Sequence, residues 1–185
     1  MTDEEKRIVS YHEAGHALIA YLLDNTLPPI KISIIPRGRS ALGFTMQEND
    51  DTKIYTFAHL INRIAVLLGG RSAELMIFNH LSTGASDDIK KVTKLSYDII
   101  TKFGMGTYGP INFNNADKIS NQTKNKIDKD RYDLINEIQL QVLDILRSNS
   151  VALQILADEL YSKEVMTSGE INTLLSNNGT MMNSC

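Results

Sequence analysis

The sequence has one cysteine, Cys185, and it is the last residue. A single thiol cannot close an internal disulfide, so the chain is no disulfide-stapled scaffold. A lone terminal thiol is also a poor metal ligand or nucleophile. Positive charge is not in excess: 19 Lys and Arg face 22 Asp and Glu, a formal net charge of -3. With a sequence pI of about 5.8, the basic face of a general nucleic-acid binder is missing. No uninterrupted apolar run approaches the ~20 residues that span a bilayer. The first ten residues, MTDEEKRIVS, are acidic and polar, unlike a signal or transit peptide. As given, the chain reads as soluble. What is present is ordinary: 42% hydrophobic and 22% charged residues in 185 positions, enough for one globular domain with a sizeable core.

Pattern and punctuation predict a first helix over Asp3–Leu23. Thr2 and Glu5 fit a capping box, and Asp3, Glu4 and Glu5 suit the positive end of the helix dipole. The β-branched stretch Ile30–Ile35, closed by Pro36, reads as a strand. A loop over Arg37–Ser40 leads to a second strand, Leu42–Met46, and the acidic Glu48–Asp51 reads as a turn. A long helix is expected over Lys53–Phe78, with Gly69-Gly70 inside it. That pair either breaks the helix or lets another element pack very close. A third helix is expected over Ser86–Phe103, with Ser86 as N-cap and Asp87 and Asp88 in its first turn. Asn112–Asn125 is polar, without apolar period, and reads as a loop. Closing helices are expected over Lys126–Arg147, Val151–Leu160 and Ser168–Leu175, the last with a Thr167/Glu170 capping box. Residues 1–176 read as one domain and 177–185 as a disordered tail.

The informative stretch is His12-Glu13-Ala14-Gly15-His16. Residues four apart share one helix face, so two imidazoles there can reach one zinc ion at ~2.0–2.1 Å. Glu13 lies beside such an ion, placed to take a proton from the attacking water and pass it to a leaving amine. This is the H-E-x-x-H metalloprotease pattern. Five-residue patterns also arise by chance. Here the motif sits mid-helix between apolar turns, and Gly15, which costs roughly 1 kcal/mol against Ala in a helix, suggests close approach of another element. Both features favour the catalytic reading.

A catalytic zinc usually takes a third protein ligand. The metzincin extension is excluded, because its Gly and His positions hold Ile19 and Leu22. His59 reads as a surface residue and His80 as a helix-end cation. Glu74, Asp87 and Asp88 are better candidates, although each has a bland reading as helix-face charge or dipole partner. Spacing does not choose among them.

Beyond the motif, several stretches resemble the peptidase domain of FtsH-type ATP-dependent zinc metalloproteases, the membrane-anchored AAA proteases. They are Tyr11–Ala17, Ile34–Gly38, Ala41–Gly43, Thr45–Gln47, Arg63–Arg71 and Ser82–Ser86. The resemblance implies a mainly α fold: a zincin-type helical peptidase domain with a small β element near the active-site helix. It implies one Zn2+ per chain, held by His12, His16 and Asp88, with Glu13 as the catalytic base and Glu74 in a supporting role. Asp87 stands where the family usually has Asn, and Leu75 where it has a second Glu. The implied substrates are unfolded polypeptides. An extended chain would lie on an exposed strand at Gly43, Phe44 and Thr45, although an ordinary core hairpin would read the same way. The resemblance also implies hexameric self-association, an ATPase module if the chain is part of a longer one, and a tether to a bacterial or organellar membrane. The chain itself contains no G-x-x-x-x-G-K-[ST] phosphate loop. The alternative from another class is a catalytically weak, zinc-stabilised oligomerisation module.

Overall fold

The computed structural model describes residues 1–36, 43–47, 53–113 and 119–179. The first helix, α1, covers Asp3–Leu22 and opens with the Thr2/Glu5 capping box. Every residue from Val9 to Leu22 is buried. A helix buried all round must be wrapped by other elements, and α1 is the centre of the fold. The second helix, α2 (Phe57–Phe78), packs along it. Gly69-Gly70 does not break α2; it is where the two helices cross. A Cβ on Gly69 would stand 2.7 Å from the Gly15 carbonyl oxygen, and one on Gly15 would stand 2.8 Å from the Ala73 Cβ. Such distances exclude side chains at the crossing. The helix-breaking cost of both glycines is therefore offset by backbone contact.

Three further helices complete the shell: α3 (Ser86–Thr101), α4 (Asn121–Ser148) and α5 (Ser150–Lys163). A short helix, α6 (Ser168–Asn177), carries the Thr167/Glu170 capping box. Among the described residues the sheet has three antiparallel strands, β1 (Pro29–Ser33), β2 (Phe44–Gln47) and β3 (Val165–Thr167), in the order β2-β1-β3. Ser33 pairs with Phe44 and Ile32 with Thr45, and among the described residues β2 is the outer strand, beside α1. The C-terminal half closes onto the N-terminal half at Glu164. Its carbonyl accepts from the Ile34 N–H at 3.0 Å, and its carboxylate meets Lys6 Nζ at 2.7 Å.

The departures from the sequence reading are local. Helix α2 starts at Phe57, not Lys53, because Thr56 caps it in extended conformation and His59 fills the position usually held by Glu or Gln in a capping box. Ser86 is not an N-cap. A 3-10 turn over Thr83–Ala85 runs into α3, and the cap falls to Ser82, whose hydroxyl accepts from the Gly84 N–H. The polar stretch expected to be a loop up to Asn125 is helical from Asn121, since the Ser120 hydroxyl caps α4 through the Thr123 N–H. Strand β3 carries too few residues to show a period. Asn177, expected to begin a disordered tail, is the last residue of α6. The expected Arg37–Ser40 loop, the Glu48–Asp51 turn, Leu42 and positions 180–185 lie outside the described residues.

Candidate metal centre

Helix periodicity places His12 and His16 on one face of α1, and the crossing of α2 fixes their rings. His16 Nδ1 stands 2.7 Å from the Val66 carbonyl oxygen. A carbonyl can only accept, so this nitrogen carries the proton. His12 Nδ1 stands 2.6 Å from Glu74 Oε1, and the other Glu74 oxygen accepts from the Ser82 N–H at 2.8 Å. Glu74 is almost fully buried. Burial pushes its carboxyl up, but hydrogen bonds from His12 and Ser82 outweigh that and hold it below the usual carboxylate range. It is therefore an acceptor, and His12 Nδ1–H donates.

When both rings are neutral, their Nε2 atoms therefore present lone pairs. They face each other 3.0 Å apart, and Asp88 Oδ2, from the first turn of α3, lies 3.3 Å from each. Three lone-pair atoms this close repel unless a cation or a proton sits among them. The separations match three corners of a tetrahedron with bonds of ~2.0–2.1 Å. The residues therefore fit a divalent ion that accepts imidazole and carboxylate ligands, zinc among them. Among the described residues, His12, His16 and Asp88 are the group of His, Cys and carboxylate side chains that converges in this way.

The structure separates the other candidates from this cluster. Glu74 bonds to the far nitrogen of His12, the arrangement in which an outer carboxylate orients a ligand histidine. Asp87 is exposed and lines the same cleft without joining the cluster. His59 belongs to the cap of α2, and the His80 ring stacks on Phe78. Glu13 is buried, and its Oε2 accepts from the Thr45 hydroxyl at 2.7 Å. Gly43, Phe44 and Thr45 line the same cleft, a cavity of about 780 Å³. A Cβ on Gly43 would stand 2.7 Å from Glu13 Oε1, and one on Gly70 would stand 2.6 Å from the Nε2 of both histidines. The Thr45 contact with Glu13 carried no sequence signal, because a period-2 strand pattern does not reveal what lies across from it. Gly70 was marked by its pairing with Gly69, but its position against the imidazoles was not readable.

In the ion-free protein the His12 imidazole is pushed up to about 9 from 6.5. Burial acts downward, but the Asp88 and Glu74 carboxylates outweigh it. Asp88, also buried enough to be pushed up, is held well below the usual carboxylate range by its contacts with both histidines. A raised folded value means that this contribution to stability is complete below about 6.5 and is lost as pH rises through about 9. Zinc needs the neutral imidazole and competes with that proton. The rise in melting temperature on adding zinc is therefore expected to widen from about pH 6 to about pH 9. Scanning calorimetry with and without zinc measures it; a rise that shrinks with pH would contradict this electrostatic account.

A helical core, a small sheet beside it, and two histidines and a glutamate in H-E-x-x-H order with a carboxylate from another helix define a mainly α peptidase domain of the H-E-x-x-H class. The chain belongs to peptidase family M41, whose model matches residues 1–174. Its relatives include the ATP-dependent zinc metalloprotease FtsH of Acaryochloris marina, 40% identical over 190 aligned positions covering 95% of this chain and 29% of that protein. ATP-dependent zinc metalloprotease FtsH 1 of Petrotoga mobilis is 35% identical, with 95% of this chain and 29% of that protein covered. FtsH 4 of Synechocystis sp. is 34% identical, with 95% and 30% covered. The chain thus spans under a third of the length of these relatives. Among the described residues no helix is long and apolar enough to cross a membrane.

Proposed function

We propose that this chain is a zinc-dependent endopeptidase unit, residues 1–176, acting on unfolded or extended polypeptides. The observation that carries the reading is the convergence of His12 Nε2, His16 Nε2 and Asp88 Oδ2 on one point of the cleft that Glu13 also lines. His12, His16 and Asp88 would hold one zinc ion. When bound, zinc would polarise the scissile carbonyl and make water a usable nucleophile near neutral pH. Glu13 takes the proton of the attacking water and returns it to the leaving amine. The Thr45 hydroxyl holds one oxygen of Glu13 and leaves the other for this transfer. Glu74 and the Val66 carbonyl keep both histidines in the tautomer whose Nε2 is free to ligate.

Strand β2 supports the extended-substrate part of the proposal. Among the described residues it pairs with β1 alone, and a substrate added to its other side would use main-chain hydrogen bonds. Main-chain binding gives weak sequence preference and rejects folded proteins, which offer no extended segment. The relatives' names carry ATP dependence. An ATPase module on the same polypeptide, a membrane tether and hexameric assembly belong to the same proposal.

Chelation followed by metal return tests the chemistry. Dialysis against a strong chelator is expected to abolish casein cleavage, and about one equivalent of zinc per chain to restore it. Cleavage that survives complete metal removal would refute the proposal. The ligand set has its own test by elemental analysis. Asp88→Ala is expected to lose the zinc at micromolar concentrations. Glu74→Ala is expected to keep it with affinity reduced ~10–100-fold, as for an orienting partner. Zinc lost only in the Glu74 variant would make Glu74 the ligand.

A further inference from the structure

A second cavity, of about 560 Å³, abuts the metal cleft; Val66, Leu67 and Lys91 line both. Its volume suits a side chain or short peptide segment. Leu67 and Leu95 contribute to an apolar floor, and Arg63, Lys91 and Lys94 bring three cations against one carboxylate, Asp98. That balance runs opposite to the chain's net charge of -3. Lys91 is partly committed, 3.8 Å from Asp88 Oδ1. Arg63 and Lys94 make no ion pair among the described residues. The two belong to different helices, α2 and α3, so the fold rather than local sequence brings them to one cavity. An apolar floor under uncommitted cations complements an anion carried on methylenes.

We propose that this annex captures a carboxylate of the substrate, from an Asp or Glu side chain near the scissile bond or from the chain terminus. The inference rests on the peptidase reading for the identity of the ligand as a peptide. It gives the cleft a preference that edge-strand binding lacks, since main-chain hydrogen bonds do not distinguish side chains. Charge pairs at an open cavity are screened, so the expected discrimination is about fivefold and falls with salt.

The test uses the 185-residue chain carrying Glu13→Gln and loaded with zinc, so that binding is read without turnover. Fluorescent, C-terminally amidated peptides carry a single Glu walked along an otherwise neutral sequence, each paired with its Gln counterpart. A neutral peptide is compared as free acid and as amide. Anisotropy is expected to show about fivefold tighter binding for Glu at one position, or for the free acid, and the pair responsible identifies the source of the carboxylate. Arg63→Glu combined with Lys94→Glu, both exposed positions, is expected to erase the preference and leave the neutral amide bound as before. Equal binding of all pairs, or a preference that survives the double substitution, overturns the annex. Cleavage of the neutral peptide by the unsubstituted chain is measured in parallel. If that peptide is not cleaved while the binding preference holds, the peptidase reading fails and the annex stands.

Discussion

Glu13→Gln is expected to keep one zinc per chain and to lower peptide cleavage by about three orders of magnitude, within the usual range for removing a general base. Glu13 takes no part in the His12–His16–Asp88 cluster, so metal content has no reason to change. The substitution is nearly isosteric. Its amide oxygen still accepts the Thr45 hydroxyl that now stands 2.7 Å from Glu13 Oε2, so the buried position stays satisfied. What the amide cannot do is take up a proton at neutral pH. The comparison also separates the two classes of function. His12 and His16 on α1 and Asp88 on α3 would tie the helices together around an ion whether or not Glu13 worked. If both proteins hold zinc and neither cleaves a fluorogenic peptide, the metal is only structural and the oligomerisation module is the better description; equal cleavage by the two would refute Glu13 as the base.

The second large effect is expected at a residue with no functional group. Gly70→Ala is expected to weaken zinc binding at least ~100-fold, beyond the usual loss of an orienting partner, and to destabilise the chain by about 1–3 kcal/mol through overpacking. The new methyl would stand 2.6 Å from His12 Nε2, His12 Cδ2 and His16 Nε2. Neither ring can swing aside freely, because each Nδ1 is already bound, to Glu74 and to the Val66 carbonyl. Helix α2 cannot back away without opening the Gly15–Gly69 crossing one residue earlier. Gly169→Ala is the control, since a Cβ there meets nothing within 4 Å. Zinc competition titrations and melting curves on both variants check the prediction. Wild-type affinity in Gly70→Ala would show that α1 and α2 are less tightly locked than these distances require.

The sequence reading succeeded where local rules suffice. The Thr2/Glu5 and Thr167/Glu170 capping boxes are there, because a cap is decided by side chains three residues apart. It failed at boundaries set by less familiar versions of the same chemistry. His59 stands in a capping-box position where Glu or Gln is expected, and Ser82, four residues before the expected Ser86, takes the cap ahead of α3. The carboxylate that joins the two histidines shows the limit most clearly. Glu74 and Asp88 are both carboxylates on helices beyond the motif, and their spacing from His16 says nothing about which nitrogen of His12 each will face. The fold places Glu74 against Nδ1 and Asp88 beside Nε2.

By itself the sequence determined the chemistry on offer: two imidazoles and a carboxylate within five residues, on a helix whose period puts both histidines on one face. Only the tertiary structure decided the rest, namely which distant carboxylate completes the cluster, that Gly70 stands against the Nε2 atoms of both rings, and that Thr45 reaches Glu13 from another element. The division has a physical cause. Helix geometry relates residues a turn apart whatever surrounds them, while contacts across some seventy positions exist only once the core of α1, α2 and α3 has packed.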